Sequence, residues 1–184
     1  MNDLKTLVRN HLKPSRYKHT LGVCKLAVHL AKLYDVDEKD AEIASLLHDY
    51  CKYESDEAIL ETFRRTNKPI DDVIMNHPNL GHGYMSAVIA KEQFGVSDDI
   101  FHAIMNHTFG RPHMSMLEKI IYLSDALEEE RSYEGIEMLR ELALKDINKA
   151  LLMACQNTLI FELKRGNMIH VQTILMHNAL VEER

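Results

Sequence analysis

Eleven histidines in a chain of 184 residues are more than a core or a surface needs, and several stand near carboxylates. The most suggestive stretch is Ala44-Ser45-Leu46-Leu47-His48-Asp49-Tyr50-Cys51-Lys52. An imidazole gives a metal one nitrogen, and the two oxygens of a carboxylate can bridge two ions. Adjacent side chains on a helix diverge by about 100°. His48 and Asp49 therefore serve one cluster only at a helix end where other helices converge. Lys52, one turn past Asp49, lies on the same side and could neutralise a phosphate. The dipeptide alone is weak, since chance supplies His-Asp often in such a chain. Its company strengthens it, because His19, His82, His107 and Asp125 also fall near expected helix ends or turns. Imidazole with carboxylate suits Fe, Mn, Zn or similar ions rather than Ca or Mg alone. The lack of Cys ligands argues against a structural zinc site.

The elements that must position these groups read as helices throughout. Residues 3–13 carry Leu4, Leu7, Val8 and Leu12 on one side, with Pro14 as a stop and Ser15 as the cap of a second helix over about 16–34. A third spans about 38–51, with His48 and Asp49 at its end, and Ser55 caps a fourth over about 56–66. Acids after Ser55 suit the positive end of the helix dipole. A turn or two follows at Ile70–Met75, then a break at His77-Pro78-Asn79, and Gly81-His82-Gly83 opens a helix to Phe94. Gly95 closes that helix, Ser97 caps the next over about 98–107, and 110–112 is a loop. Ser115-Met116-Leu117-Glu118 has the capping-box pattern for a helix over about 116–128, and further helices cover about 133–145, 147–164 and 171–181. No stretch alternates with period two, and no repeat or linker divides the chain. The expected fold is all-α, one domain over residues 1–184.

Bulk properties narrow the class. The formal charge of -6 argues against a nucleic-acid polymer as partner. It leaves room for a small polyphosphate, because divalent metals supply local positive charge. No run of about 18 apolar residues marks a membrane span, and the start lacks an apolar signal core. Cys24, Cys51 and Cys155 are scattered and odd in number, which fits reduced thiols in a cytoplasm.

Arg16-x-x-His19, His48-Asp49 and the distant Asp125 together resemble the signature of the HD-domain metallophosphohydrolases. Longer segments are similar to one branch: Arg16-Tyr17-Lys18-His19-Thr20-Leu21-Gly22-Val23, Leu46 to Lys52, His82-Gly83, and His107-Thr108-Phe109-Gly110-Arg111. Met114-Ser115-x-Leu117-Glu118-Lys119-Ile120-Ile121-Tyr122-Leu123-x-Asp125 and Glu130-Arg131 complete the series. That branch is the YqeK-type symmetrical bis(5'-nucleosyl)-tetraphosphatases of bacteria, and the resemblance covers about residues 15–175. It departs at Gly83-Tyr84-Met85-Ser86 and at Pro112-His113, both beside the expected pocket.

The resemblance implies a helical HD-domain bundle with a di-iron site (Fe2+/Fe3+) between helices, Mn, Zn, Co and Mg being the other candidate ions. It assigns one ion to His19, His48, Asp49 and Asp125, and the second to bridging Asp49 with His82 and His107. Two such ions roughly 3.5 to 4 Å apart hold a bridging hydroxide and grip phosphate oxygens. Attack on a central phosphorus of diadenosine tetraphosphate would release two ADP, a product pattern that the resemblance alone supplies. Asp49 and Lys52 are the expected catalytic residues. Lys52, Arg111 and Arg131 are candidates to offset phosphate charge, with His113 as a further substrate contact. Tyr84 and Phe109 either stack on adenine or fill the core. His11, His29, His77, His102, His170 and His177 read as structural or solvated. Competing functions are another HD-type nucleotide phosphohydrolase or phosphodiesterase, and a nucleotide-binding regulator without turnover. A homodimer stays open.

Overall fold

The computed structural model describes residues 2–183, with side chains from Leu4 onward. These residues form eleven α-helices and one 3-10 turn, with no strand among them. The expected all-α fold is the one observed. No helix among them is long and apolar enough to cross a membrane.

The helix starts follow local chemistry. After α1 (Asn2–His11), α2 (Pro14–Leu33) begins at Pro14 itself, with Lys13 extended before it. This corrects the expectation that Pro14 only stops α1 and Ser15 caps α2. Proline suits the first helical position, where its missing N–H would find no partner anyway. Asp37 caps α3 (Glu38–Leu47) by accepting from the backbone N–H of Lys39 and Asp40. α3 ends four residues earlier than expected. Bonds from Tyr50 N–H to the Leu47 carbonyl and from Lys52 N–H to the Asp49 carbonyl tighten the chain into successive turns. Those turns free His48 and Asp49 from the angular separation of a straight helix.

Ser55 caps α4 (Asp56–Arg65) and Asp71 caps the short α5 (Asp72–Asn76). The 3-10 turn Pro78–Gly81 then delivers the chain into α6 (His82–Phe94). α6 stops at left-handed Gly95, and Ser97 caps α7 (Asp98–Asn106). Ser115 and Glu118 make the full reciprocal capping box at the start of α8 (Met116–Leu127). α9 (Ile136–Lys145) starts after Gly135 at φ 83°, three residues later than expected. α10 (Ile147–Arg165) and α11 (Val171–Glu182) follow, α11 capped by the His170 ring.

α2 packs against α3 and α8, α7 lies against α6 and α8, and α10 leans on α8, α9 and α11. Leu30, Leu46, Leu47, Ile104, Ile120, Ile121, Leu123 and Leu151 are fully enclosed in the shared core. A smaller cluster of Ile59, Phe63 and Ile74 holds α4, α5 and the 3-10 turn over α6. Tyr84 joins this cluster: its ring lies 4.6 Å from that of Phe63 and its hydroxyl donates to Thr66. The two clusters fix the ends of α2, α3, α6, α7 and α8 relative to one another.

One buried carboxylate locks the α7–α8 corner. Glu118, fully enclosed, receives Arg111 Nε and Nη2 at 2.7 Å each, Asn106 Nδ2 at 2.7 Å, and the Ser115 N–H. Burial pushes its carboxyl up, but Arg111, the Ser115 N–H and Asn106 together hold it below the usual carboxylate range. Such a group stabilises the fold at neutral pH and loses that contribution as pH falls through its depressed folded-state pKa. Arg111→Met should therefore lower stability by about 3 kcal/mol at pH 7, since it strips a buried carboxylate of its cation. Urea denaturation across pH should show that deficit narrowing in acid. A deficit independent of pH would mean Arg111 acts through packing alone.

Candidate metal centre

Five elements deliver six groups to one place. His19 sits in α2, His48 and Asp49 follow α3, His82 opens α6, His107 follows α7, and Asp125 lies in the last turn of α8. His19, His48, Asp49, His82 and His107 are buried, while Asp125 keeps 23% of its side-chain surface exposed.

Asp49 is the hub. Its Oδ2 lies 3.3 Å from His48 Nε2 and 3.9 Å from His19 Nε2. Its Oδ1 lies 2.8 Å from His82 Nε2 and 3.7 Å from His107 Nε2. Each oxygen thus faces a different pair of histidines. Asp125 Oδ1 completes the first group, 3.0 Å from His19 Nε2 and 3.9 Å from His48 Nε2. In the second group His82 Nε2 and His107 Nε2 stand 3.3 Å apart.

The outer ring nitrogens explain why the inner ones are available. His48 Nδ1 is 2.5 Å from the Ser45 carbonyl, His82 Nδ1 2.7 Å from the Asn79 carbonyl, and His107 Nδ1 2.7 Å from the Ile104 carbonyl. His19 Nδ1 is 3.0 Å from Glu128 Oε1. A carbonyl or carboxylate only accepts, so each Nδ1 carries the proton and each Nε2 presents a lone pair inward.

This donor set fits divalent metal ions. His19 Nε2, His48 Nε2 and Asp49 Oδ1 are buried and have no hydrogen-bond partner, a costly condition for polar atoms in a native interior. Two donors each about 2.1 Å from a shared ion stand roughly 3 to 4 Å apart, which matches the separations above. His19, His48 and Asp125 form one close triad and His48, Asp49 and His107 another, with donor atoms within 4.8 Å of one another. Burial pushes the Asp49 carboxyl up, yet His48, His107 and His82 hold it well below the usual carboxylate range. Asp125 is lowered likewise, burial being outweighed by His19, His48 and His107. Burial, assisted by His107 and Lys52, pushes His82 down despite Asp49. Ionised carboxylates are the state that a metal takes up without displacing their protons, and the same two carboxylates, Asp49 and Asp125, push His48 up against its burial.

Around this cluster stand the cations. Arg16 Nη1 donates to Asp49 Oδ2 at 2.9 Å, and Lys52 Nζ lies 3.2 Å from His82 Nε2 and 3.8 Å from Asp49 Oδ1. Arg131 reaches Asp125 through both its carboxylate, at 2.9 Å, and its backbone carbonyl, at 3.0 Å. Lys52 keeps 32% of its side-chain surface exposed, so on this side the centre is open to a solute. The other two expected substrate groups are not part of the assembly. Arg111 is committed to Glu118, and exposed His113 pairs with Glu183 at 2.8 Å. Phe109 stacks on His170 rather than filling the main core.

Sequence reasoning missed Glu128, which reads as the first acid of a surface run with Glu129 and Glu130. Its only signal is its place one turn after Asp125. In the fold it is buried, holds His19 Nδ1, and accepts the Glu130 N–H at 2.8 Å. Gly22 explains its approach: a Cβ there would sit 2.6 Å from Glu128 Oε2. Gly83 does the same for His107, whose Cε1 would lie 3.0 Å from an added Cβ. Arg16, quoted above only as part of a motif, proves to bond Asp49 directly.

The family model of the HD domain matches residues 16–130, and the chain belongs to that family. Within it the affinity is to the YqeK-type branch. The chain is 39% identical over 179 residues to the "Bis(5'-nucleosyl)-tetraphosphatase, symmetrical" of Halalkalibacterium halodurans, covering 97% of this chain and 95% of that protein. It is 38% identical over 175 residues to the protein of the same name from Bacillus subtilis, covering 95% and 94%. A crystal structure of a "predicted HD superfamily hydrolase involved in NAD metabolism" from Clostridium acetobutylicum superimposes with a TM-score of 0.95 at 38% identity, covering 100% of this chain and 97% of that one.

Glu128 generates the test of the supporting shell. Glu128→Ala should leave a folded protein whose affinity for the ion at His19 is about 10- to 100-fold weaker. Glu128→Gln, which keeps an acceptor for His19 Nδ1, should recover most of it. Competition with a chromophoric chelator reads both, and equal affinities for all three proteins would remove Glu128 from the centre.

Proposed function

We propose that this chain is a metal-dependent hydrolase that cleaves diadenosine tetraphosphate symmetrically into two ADP. Residues 1–184 would act as one unit in the cytoplasm. The observation that carries the reading is the divided Asp49 carboxylate, one oxygen toward His19 and His48, the other toward His82 and His107. His19, His48, Asp49 and Asp125 would hold one divalent ion, and Asp49, His82 and His107 a second. Iron is the ion we favour, as the family resemblance implies; the mixed imidazole and carboxylate donors suit it as they suit Mn or Zn. A pair of such ions supplies an acidified water and a grip on phosphate oxygens. The near full-length likeness to proteins named symmetrical bis(5'-nucleosyl)-tetraphosphatases supports the choice of substrate.

The chain's own groups then have distinct tasks. Asp49 keeps both histidine pairs in register through its two oxygens. The carbonyls of Ser45, Asn79 and Ile104, with Glu128, keep the four rings in the tautomer that presents Nε2. Lys52, partly exposed at the rim, is placed to meet a phosphate oxygen and offset charge on the departing nucleoside diphosphate. Arg131 fixes Asp125 and adds positive potential on the other side. Phosphoryl transfer is catalysed largely by positioning and charge stabilisation, so these roles suffice without a separate acid.

Four variants test the assignment. Asp49→Ala should abolish turnover and lower bound metal, and full activity with full metal content would sink the two-ion reading. His82→Ala or His107→Ala should leave a folded protein with about one ion fewer per chain and steeply reduced hydrolysis. Metal analysis beside product chromatography checks both. Lys52→Ala should keep its metal and lose roughly tenfold to a hundredfold in rate, as expected for a charge-assisted contact worth about 1.5–3 kcal/mol. Unchanged kinetics would make Lys52 a solvated lysine.

A further inference from the structure

Half of the exposed large apolar side chains among the described residues, eight of sixteen, fall between Ile160 and Val181, at the end of α10 and along α11. α11 carries apolar residues on two opposite sides. Thr173, Met176 and Leu180 point inward and are buried, whereas Val171, Ile174, Leu175 and Val181 lie across the helix from them and are 42% to 55% exposed. Inward contacts fix that orientation. The Thr173 hydroxyl donates to the Phe109 carbonyl at 3.0 Å, Met176 fills the space beside Gly110, and His170 stacks on Phe109. The outer side therefore cannot turn toward the core. Ile160 and Leu163 of α10 extend the same surface. Gln156 and His177 lie 3.4 Å apart and set the antiparallel helices edge to edge, which puts Ile160, a turn past Gln156, beside Ile174.

Size and charge say what fits this face. With Phe161 and Met168 at its margin, it offers roughly 600 to 800 Å² of apolar surface, at or above the largest patch of a typical monomer and close to the roughly 800 Å² that each partner of a stable dimer buries. Its two ends carry opposite charge. Exposed Lys164 and Arg165 close α10 next to the start of α11, and exposed Glu182 and Glu183 close α11 at the far end. A copy turned about a two-fold axis across α11 brings the basic end of each chain to the acidic end of the other, while the apolar residues meet their own kind. We infer that this face is a self-complementary docking surface for a second copy of this chain, the two α10–α11 hairpins lying antiparallel. A lipid surface fits less well. α11 has no lysine or arginine, the residues that draw an amphipathic helix to anionic headgroups, and the chain as a whole carries a formal charge of -6. The inference is independent of the proposed hydrolysis, since none of these residues belongs to the metal centre.

Sedimentation velocity across micromolar concentrations tests it. The wild type should sediment as a dimer, and Ile174→Glu should sediment as a monomer with unchanged helical circular dichroism. Charge exchange tests the antiparallel arrangement and does not depend on that variant's folding. Glu182→Lys with Glu183→Lys, and separately Lys164→Glu with Arg165→Glu, should each weaken self-association about tenfold, because like charges then meet at both ends. Mixing the two charge variants should restore dimers, since every end again meets its opposite. A wild type that stays monomeric throughout the range would overturn the inference, and so would a dimer that persists in folded Ile174→Glu. Charge variants that associate as tightly as the wild type would overturn the antiparallel pairing. Flotation of a monomeric wild type with vesicles of phosphatidylcholine and phosphatidylglycerol would assign the face to a membrane instead.

Discussion

The arrangement depends on one buried carboxylate whose two oxygens serve two masters. An ionised Asp49 taken out of water carries a desolvation cost of several kcal/mol that only nearby positive charge or donated hydrogen bonds offset. Arg16 supplies one such bond to Oδ2. The four imidazoles around it give their Nδ1 protons to carbonyls and to Glu128 and turn their Nε2 atoms toward it. Lone pairs facing a carboxylate at these distances are tolerable only with cations shared between them. That electrostatic need, more than any single ligand, defines the centre.

Holding such a cluster demands rigidity, and the fold supplies it by ending helices rather than by running them through the site. His48 and His107 each sit one residue past the last full turn of α3 and α7, and His82 is the first residue of α6. At these positions the i−3 carbonyls of Ser45, Asn79 and Ile104 accept the ring Nδ1 protons, which fixes three tautomers at once. Gly22 and Gly83 then let Glu128 and His107 come within contact of neighbouring backbone. The Glu118 network locks the corner that carries His107.

How much of this was legible in the chain follows from what each signal depends on. Helix starts rest on local side-chain bonds, so Ser55, Ser97 and Ser115 were readable as caps or helix starts, and the all-α fold with them. His19, His48-Asp49, His82, His107 and Asp125 stood out because titratable residues at helix ends are unusual as a set. The turns after α3 escaped, since nothing in Tyr50-Cys51-Lys52 forbids a longer helix. Glu128 escaped because burial is a tertiary property and three successive acids look like surface. Arg111 and His113 have pairings that escaped for a related reason. They neighbour His107 in the loop before α8, but Glu118 and Glu183 capture their side chains, and no local pattern announces which carboxylate an arginine will meet.

Titrating iron into metal-free protein and following diadenosine tetraphosphate hydrolysis against ions bound tests the two-ion claim most directly. With Asp49 serving both histidine pairs, activity should stay low through the first equivalent per chain and rise with the second, yielding ADP as sole nucleotide product. Full turnover at one equivalent, or AMP and ATP as products, would contradict the account.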